Sequence, residues 1–222
     1  MHSMRAQEAT VLDLSEIRQR TNLRVSQAKE PNCAPAPCVV VKGRAAAHCT
    51  TALSGLRVVL ERVTPASITL DPFTAEFRVL NTGPGSVEIP ISLDLTDLQP
   101  PGPLQEFDYF SIALRIRLDS VRSPQAFGLG WIELYGSSKR PKTLLELRPG
   151  HWVRVIANVK MHTWPTQPVD ALLRGDFSMH KNVFKPEEHG GSVDALDLCP
   201  DRVALPHAVE VHFSPIHQAS EP

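Results

Sequence analysis

The sequence lacks any surplus of positive charge. Its 222 residues carry 23 Lys and Arg against 24 Asp and Glu, a formal net charge of −1. Such a balance does nothing to neutralise a phosphate backbone, so no nucleic-acid partner is expected. No run of about 18 apolar residues occurs, so no membrane span is expected. Met1 to Gln7 lack the apolar stretch of a secretory leader. Yet Arg5-Ala6-Gln7-Glu8 looks like the first residues left after a leader is removed, with a small residue at the cut, so a start near a mature N-terminus is expected. Catalytic signatures are missing too. There is no Gly-x-Ser-x-Gly elbow, no His-Glu-x-x-His run and no Gly-rich phosphate loop. Internal repeats and low-complexity tracts are also lacking, and no cofactor is expected.

What is present points to strands. The 20 prolines are well above the roughly 5% average, and helix interiors tolerate few of them. Hydrophobic residues at 42% and charged residues at 21% suit an ordinary core and surface. The four cysteines are Cys33, Cys38, Cys49 and Cys199. An even number suits an oxidising compartment, and three pairings are open. Two prolines stiffen Asn32-Cys33-Ala34-Pro35-Ala36-Pro37-Cys38, a loop that a Cys33–Cys38 bridge would close, leaving Cys49 for Cys199. A zinc site and free thiols are the alternatives. Structural zinc wants paired short spacings, and only one is present, so disulfides are favoured.

Along the chain, residues 10–20 suit a short helix, with Leu14 and Ile17 three apart, or an irregular arm. Residues 22–52 read as a loop-rich extension with one strand at Val39–Val41. From Leu56 the pattern becomes strand-like. Phe73, Phe77 and Val79 share one face while Glu76 and Arg78 take the other, the period-two alternation of a half-buried strand. Asn81-Thr82-Gly83-Pro84-Gly85 is a turn whose Asn and Gly accept positive φ. Val87 to Leu95 alternates around Pro90, which confines it to an edge or splits it in two. Tyr109–Leu118 is the clearest strand, with Ile112, Leu114, Ile116 and Leu118 inward and Arg115 and Arg117 on a solvated face. Arg148-Pro149-Gly150 then turns the chain into Trp152–Val159. Residues 160–200 show weak periodicity and several Pro and Gly, and read as a long irregular excursion. Residues 207–213 form a last strand. The expected organisation is a 1–55 arm with the cysteine-bearing loop and a 56–222 β domain that includes the excursion.

Two segments carry a family resemblance. Phe77-Arg78-Val79-Leu80-Asn81-Thr82-Gly83 resembles the strand ending in Asn-Thr-Gly of bacterial immunoglobulin-like domains. Leu145-Glu146-Leu147-Arg148-Pro149-Gly150, followed by Val153-Arg154-Val155, is similar to their later Pro-Gly hairpin. The likeness covers roughly residues 56–160. It implies a mostly β, antiparallel two-sheet sandwich in an exported or envelope-associated protein, usually without catalysis, and it implies no ligand. The cysteine-bearing arm and the C-terminal third depart from the pattern.

Candidate chemistry is sparse. His180, Glu187 and His189 offer imidazole and carboxylate ligands for a metal in the 160–200 region. His207 and His212 fall on opposite strand faces, and His212 meets His217 only if Pro215 turns the chain. Asp94, Asp97, Asp108 and Asp119 offer a carboxylate pair, although aspartates at strand ends normally form turns. Trp131, Trp152 and Trp164 offer flat aromatic faces for sugar rings or, more simply, cover for core edges. Arg174-Gly175-Asp176 matches a cell-adhesion tripeptide. The reading is thus a non-catalytic, secreted or periplasmic interaction or structural module with a protein or glycan partner. The alternatives are a carbohydrate-binding module using the tryptophans, or a metal-dependent hydrolase built on His162, Trp164, His180, Glu187 and His189.

Overall fold

The structure is a computed structural model that describes residues 10–15, 24–27, 38–45, 49–50, 52–65, 67–68, 73–119, 128–161, 168–187, 190–202 and 207–213. These residues form strands joined by turns and three short 3-10 turns, with no α-helix among them. In chain order the strands are β1 (Thr10–Asp13), β2 (Arg24–Gln27), β3 (Cys38–Ala45), β4 (Leu56–Thr64), β5 (Ser67–Ile68), β6 (Phe73–Asn81) and β7 (Val87–Pro90). They continue with β8 (Phe107–Asp119), β9 (Gly128–Gly136), β10 (Leu144–Leu147), β11 (Trp152–Met161), β12 (Val169–Glu187), β13 (Gly190–Arg202) and β14 (Val209–Phe213).

Alternation decides where β6 and β11 sit. Phe73, Ala75, Phe77 and Val79 are buried on β6, as are Val153, Val155, Ala157 and Val159 on β11. The antiparallel register places Val153 opposite Val79, Val155 opposite Phe77 and Ala157 opposite Ala75, so the buried positions line up row by row. A slip of one residue would turn all of them to solvent. Ile112, Leu114 and Ile116 on β8 are likewise buried, and they belong to the same core as the β6 and β11 side chains.

Twelve strands form one continuous sheet along the path β2-β3-β13-β12-β8-β9-β11-β6-β4, with β1, β5 and β14 attached to it. The sheet folds over because β11 has two sets of partners. Its Trp152–Val159 stretch pairs with β6, and its end at Lys160 and Met161 pairs with β9. A strand shared in this way makes a corner between layers. Across the fold, β12 crosses β4 so closely that a Cβ on Gly175 would stand 2.8 Å from the Leu60 backbone nitrogen. A separate two-stranded sheet pairs β7 with β10. β7 thus has a single partner and ends at Pro90, as its proline requires.

A second, smaller core lies on the opposite side of β8. Phe107, Tyr109, Tyr135, Phe184 and Val193 pack there with Leu95 and Leu98 of a 3-10 turn. The Phe107 and Phe184 rings stack at 5.0 Å, and Tyr109 meets Tyr135 edge-on at 6.0 Å. β8 is therefore buried on both faces along part of its length.

Several sequence expectations are corrected. Residues 10–13 are a strand parallel to β11, not helix, and Leu14 is buried against it with its N–H donating to the Ile156 carbonyl at 2.7 Å. The extension at 22–52 contributes two strands, β2 and a β3 longer than Val39–Val41. The pairing is not wholly antiparallel: β1–β11, β2–β3, β3–β13 and β5–β14 are parallel. All of these strands come from the first 68 residues or pair with them, and composition does not reveal which distant strand a segment will join.

The largest correction concerns 160–200. Residues 169–187 and 190–202 are not irregular: they are β12 and β13, paired antiparallel over most of their length. Register shifts between Phe177, Met179 and His180 break the period of two. Gly175, Asp176, Phe177, Ser178 and Met179 are consecutively buried, so this stretch carries no alternation.

Finally, the resemblance implied a Pro-Gly hairpin at 148–150. Gly150 does take φ 76°, but β10 pairs with β7 while β11 pairs with β6, so the turn passes between sheets. The adjoining Asn81–Gly85 turn uses no positive φ; hydrogen bonds hold it instead. Asn81 is fully buried, its amide donates to the carbonyls of Gly85 (2.7 Å) and Leu147 (2.8 Å), and its Oδ1 accepts from Gly83 N (2.9 Å). Thr82 donates from both its backbone N–H (2.9 Å) and its hydroxyl (2.7 Å) to the Gly55 carbonyl.

Candidate functional site

The outward face of β11 begins with Trp152. Since Val153 and Val155 point into the core, Trp152 and Arg154 point away from it. The register sets Arg78 of β6 opposite Arg154 and diagonal to Trp152. Both guanidinium groups approach the half-buried indole, at 5.6 Å for Arg78 and 5.9 Å for Arg154 from the ring centroid. Both lie over the ring within the roughly 6 Å reach of a cation–π contact, near its outer limit.

Glu61 of β4 joins the two. One carboxylate oxygen is 3.1 Å from Arg78 Nε and the other is 3.4 Å from Arg154 Nε. A single carboxylate thus stands between two cations, leaving one positive charge in excess. Both arginine side chains are about 40% exposed, whereas Glu61 is 22% exposed. Neither buried Nε makes a hydrogen bond, so Glu61 meets both arginines through charge and not through a directed bond. On the same face, Arg62 and Glu76 form a close ion pair that adds no net charge.

The other tryptophans are elsewhere. Trp131 is 39% exposed on β9 and sits opposite Lys160, eight residues along β11 from Trp152. At a rise of about 3.3 Å per residue the two are on the order of 26 Å apart, too far for one platform. Trp164 lies outside the described residues.

Of the proposed metal ligands His180, Glu187 and His189, only His180 has a described side chain. His180 is on β12, where its Nε2 lies 2.9 Å from Asp197 Oδ1 of β13. Glu187 ends the same strand, and its side chain lies outside the described residues. His162, His189 and His217 lie outside the described residues. His212 pairs with Asp170 at 2.7 Å, while His207 precedes β14 and is exposed. Among the described residues no group of three His, Cys, Asp or Glu gathers to hold a metal.

The aspartates mostly act locally. Asp94 caps a 3-10 turn by accepting from Thr96 N at 2.8 Å, and Asp97 accepts from the Ser92 hydroxyl at 2.6 Å. Asp108 is exposed on β8, and the side chain of Asp119 is outside the described residues. Asp176, the last residue of the adhesion-like tripeptide, is mid-strand and 6% exposed, where no receptor could reach it as a loop. Arg117 pairs closely with it and Arg115 Nε stands 3.9 Å away, so these arginines are not simply a solvated face.

Cys49 and Cys199 form a disulfide between residues 150 apart in sequence. Thr50 N donates to the Leu198 carbonyl at 3.2 Å beside it. A bridge between Cys33 and Cys38 falls outside the described residues. The Trp152 cluster is only partly legible in the sequence. The indole is out of phase with the aliphatic stripe, which marks it, but nothing local marks Arg78 and Glu61, because only pairing brings β4 and β6 to it.

No protein-family model matches the sequence, and no curated protein matches it either. Among solved structures, the chain is similar to the Pseudomonas fluorescens alkylpurine DNA glycosylase AlkC bound to DNA containing an abasic site analog. The identity is 16%, the match covers 66% of this chain and 32% of that one, and the TM-score is 0.25. The chain therefore spans about a third of that protein's length, and a likeness this slight transfers neither fold nor activity. No helix among the described residues is long and apolar enough to cross a membrane.

Proposed function

We propose that the chain is a non-catalytic interaction or structural module, an immunoglobulin-like two-sheet sandwich working in a secreted or periplasmic compartment. The observation that carries this reading is the Cys49–Cys199 disulfide, which ties the N-terminal segment to β13 across 150 residues. Such a bond persists where thiols are not kept reduced. The layered strands around one core support the sandwich half of the reading. Thiol alkylation of the protein from its own cells, followed by mass measurement, tests the compartment. Cys49 and Cys199 are expected to resist alkylation until a reductant is added; two free thiols in the native protein would overturn it.

A second reading, a carbohydrate-binding module, is favoured by one specific feature: Trp152 stands on the outward sheet face beside two arginines whose guanidinium groups lie over its ring. Glycan-array binding that disappears with Trp152→Ala, while Trp131→Ala retains it, is the expected outcome. Binding that survives Trp152→Ala would remove this reading.

A further inference from the structure

We infer that the side of β11 turned away from β6 is a strand-accepting edge, filled within one chain by β1 and open to the β1 segment of a second copy. This rests on the reading of the chain as an interaction module and names its partner.

β11 has two edges. β6 pairs along one of them from Trp152 to Val159. On the other, β9 takes only Lys160 and Met161, and the stretch from Val153 to Ile156 is left to β1. Among the described residues no further strand pairs with that stretch, so departure of β1 would bare a row of backbone donors and acceptors. An edge of this kind is a template for an incoming strand.

β1 is held there by few side chains. Leu14 is 4% exposed and Leu12 is half-buried, both against the main core, while Thr10, Val11 and Asp13 are exposed. The parallel register puts Leu12 opposite Val155 and Val11 opposite Arg154, so alternate residues enter the core. The remaining hold is polar and gathered at the end of the strand. Leu14 N–H donates to the Ile156 carbonyl at 2.7 Å, and the Asn158 amide donates to the Ser15 carbonyl at 2.5 Å. Asp13 closes the strand by accepting from the Ser15 N–H at 3.0 Å and its hydroxyl at 2.6 Å. So short a strand, anchored by one deeply buried side chain, belongs to the segments that open locally before a domain unfolds.

The opening has a natural limit. β3 pairs with β13 from Cys38 onward, and Cys49 is bonded to Cys199, so the later part of the N-terminal region stays fastened when β1 leaves. The occupant follows from identity. Within one chain the spacing of Leu12 and Leu14 already matches this edge, and the same segment of a second copy offers the same match without any new surface. Exchange of an identical element is a low-cost route to a dimer.

The experiment uses the full chain. Leu14→Asp puts a charge at the buried anchor and displaces β1, baring the edge. A fluorescein-labelled peptide of residues 8–16 is expected to bind this variant saturably. Wild type should bind it at least about tenfold more weakly, because its own strand occupies the site. A peptide carrying Leu12→Asp and Leu14→Asp is expected not to bind. Sedimentation should show a wild-type dimer that grows with concentration and that Leu14→Asp does not form. A folded Leu14→Asp variant that takes up no peptide, or takes up both peptides equally, would overturn the inference, and so would wild type that stays monomeric at every concentration. Should Leu14→Asp fail to fold, hydrogen exchange of wild type decides. The Leu14 amide is expected to exchange at least about tenfold faster than the β6 amides, and equal rates would overturn the inference. The compartment enters none of these outcomes, so their failure leaves the result of thiol alkylation standing.

Discussion

Replacing Asn81 with alanine removes one side chain that holds three stretches of backbone together. Its amide reaches the carbonyls of Gly85 and Leu147, and its oxygen takes the Gly83 N–H. The backbone of the same residue accepts from Gly150 N at 2.8 Å and donates to the His151 carbonyl at 3.0 Å, so the 81–85 turn and the 148–151 turn meet here. Those backbone bonds survive the substitution; the side-chain bonds do not. Gly85 is exposed and Gly83 half-buried, so water can replace the lost partner at both, at a cost of about 0.5–1 kcal/mol each. Leu147 is 3% exposed, so water does not replace the amide at its carbonyl, and the buried bond lost there is worth about 1–1.5 kcal/mol. The sum is about 3 kcal/mol, which for a chain of this length lowers the melting temperature by roughly 6–12 °C. Urea unfolding followed by tryptophan fluorescence measures it directly. An Asn81→Ala variant within about 0.5 kcal/mol of wild type, the range of an ordinary surface change, would refute the reasoning. Asn81→Asp sharpens the test. A carboxylate keeps an acceptor for Gly83 N but turns oxygen toward two carbonyls, which raises its pKa in the folded state. Stability of that variant should therefore be greatest below the ordinary aspartate range and fall as pH rises.

Further outcomes are expected. Reducing the Cys49–Cys199 bond, or substituting both residues with serine, should lower stability by up to about 5 kcal/mol on a chain-entropy estimate for a loop of this length; an unchanged urea midpoint after reduction would count against the disulfide's role. Gly55→Ala would drive a Cβ to 2.2 Å from Gly83 N, a backbone clash that neither loop can relieve, whereas Gly85 has nothing within 4 Å. The first variant should lose at least about 2 kcal/mol and a Gly85→Ala variant stay within about 0.5 kcal/mol, and equal effects would show that the 55–83 contact is not tight. The chain has two tyrosines, Tyr109 and Tyr135, both buried. Burial, reinforced by the nearby Glu133 charge, holds both phenols above the usual value of 10.0. Their folded pKa values are raised, so this stability is intact below pH 10 and is lost as pH climbs above it while the unfolded chain ionises. Phenolate absorbance should therefore appear together with unfolding; smooth titration near pH 10 in the folded protein would show that the rings are accessible.

Much of the strand pattern is legible from local chemistry. Phe73, Phe77 and Val79, or Val153, Val155 and Val159, alternate with charged or polar neighbours, and a strand buried on one side leaves that mark directly in the order of residues. The mark fades where both sides are covered. Phe107 and Tyr109 enter one core while Ile112 and Leu114 enter the other, and the bulged run from Gly175 to Met179 is buried throughout. There, Gly and small polar residues meet packing needs that look like loop chemistry when read along the chain.

By itself the sequence determined that this protein is built of strands and turns, that its charge is balanced, and that four cysteines were available to pair. Those properties depend on side chains within a few residues of each other. Which strands became neighbours was decided only in three dimensions. The parallel placing of β1 beside β11, the crossing of Gly175 over Leu60, and the meeting of Glu61, Arg78 and Arg154 around Trp152 join residues that lie far apart along the chain. Hydrogen-bonded pairing is alike for every strand, so the choice of partner lies in how whole faces fit, and no local pattern encodes that.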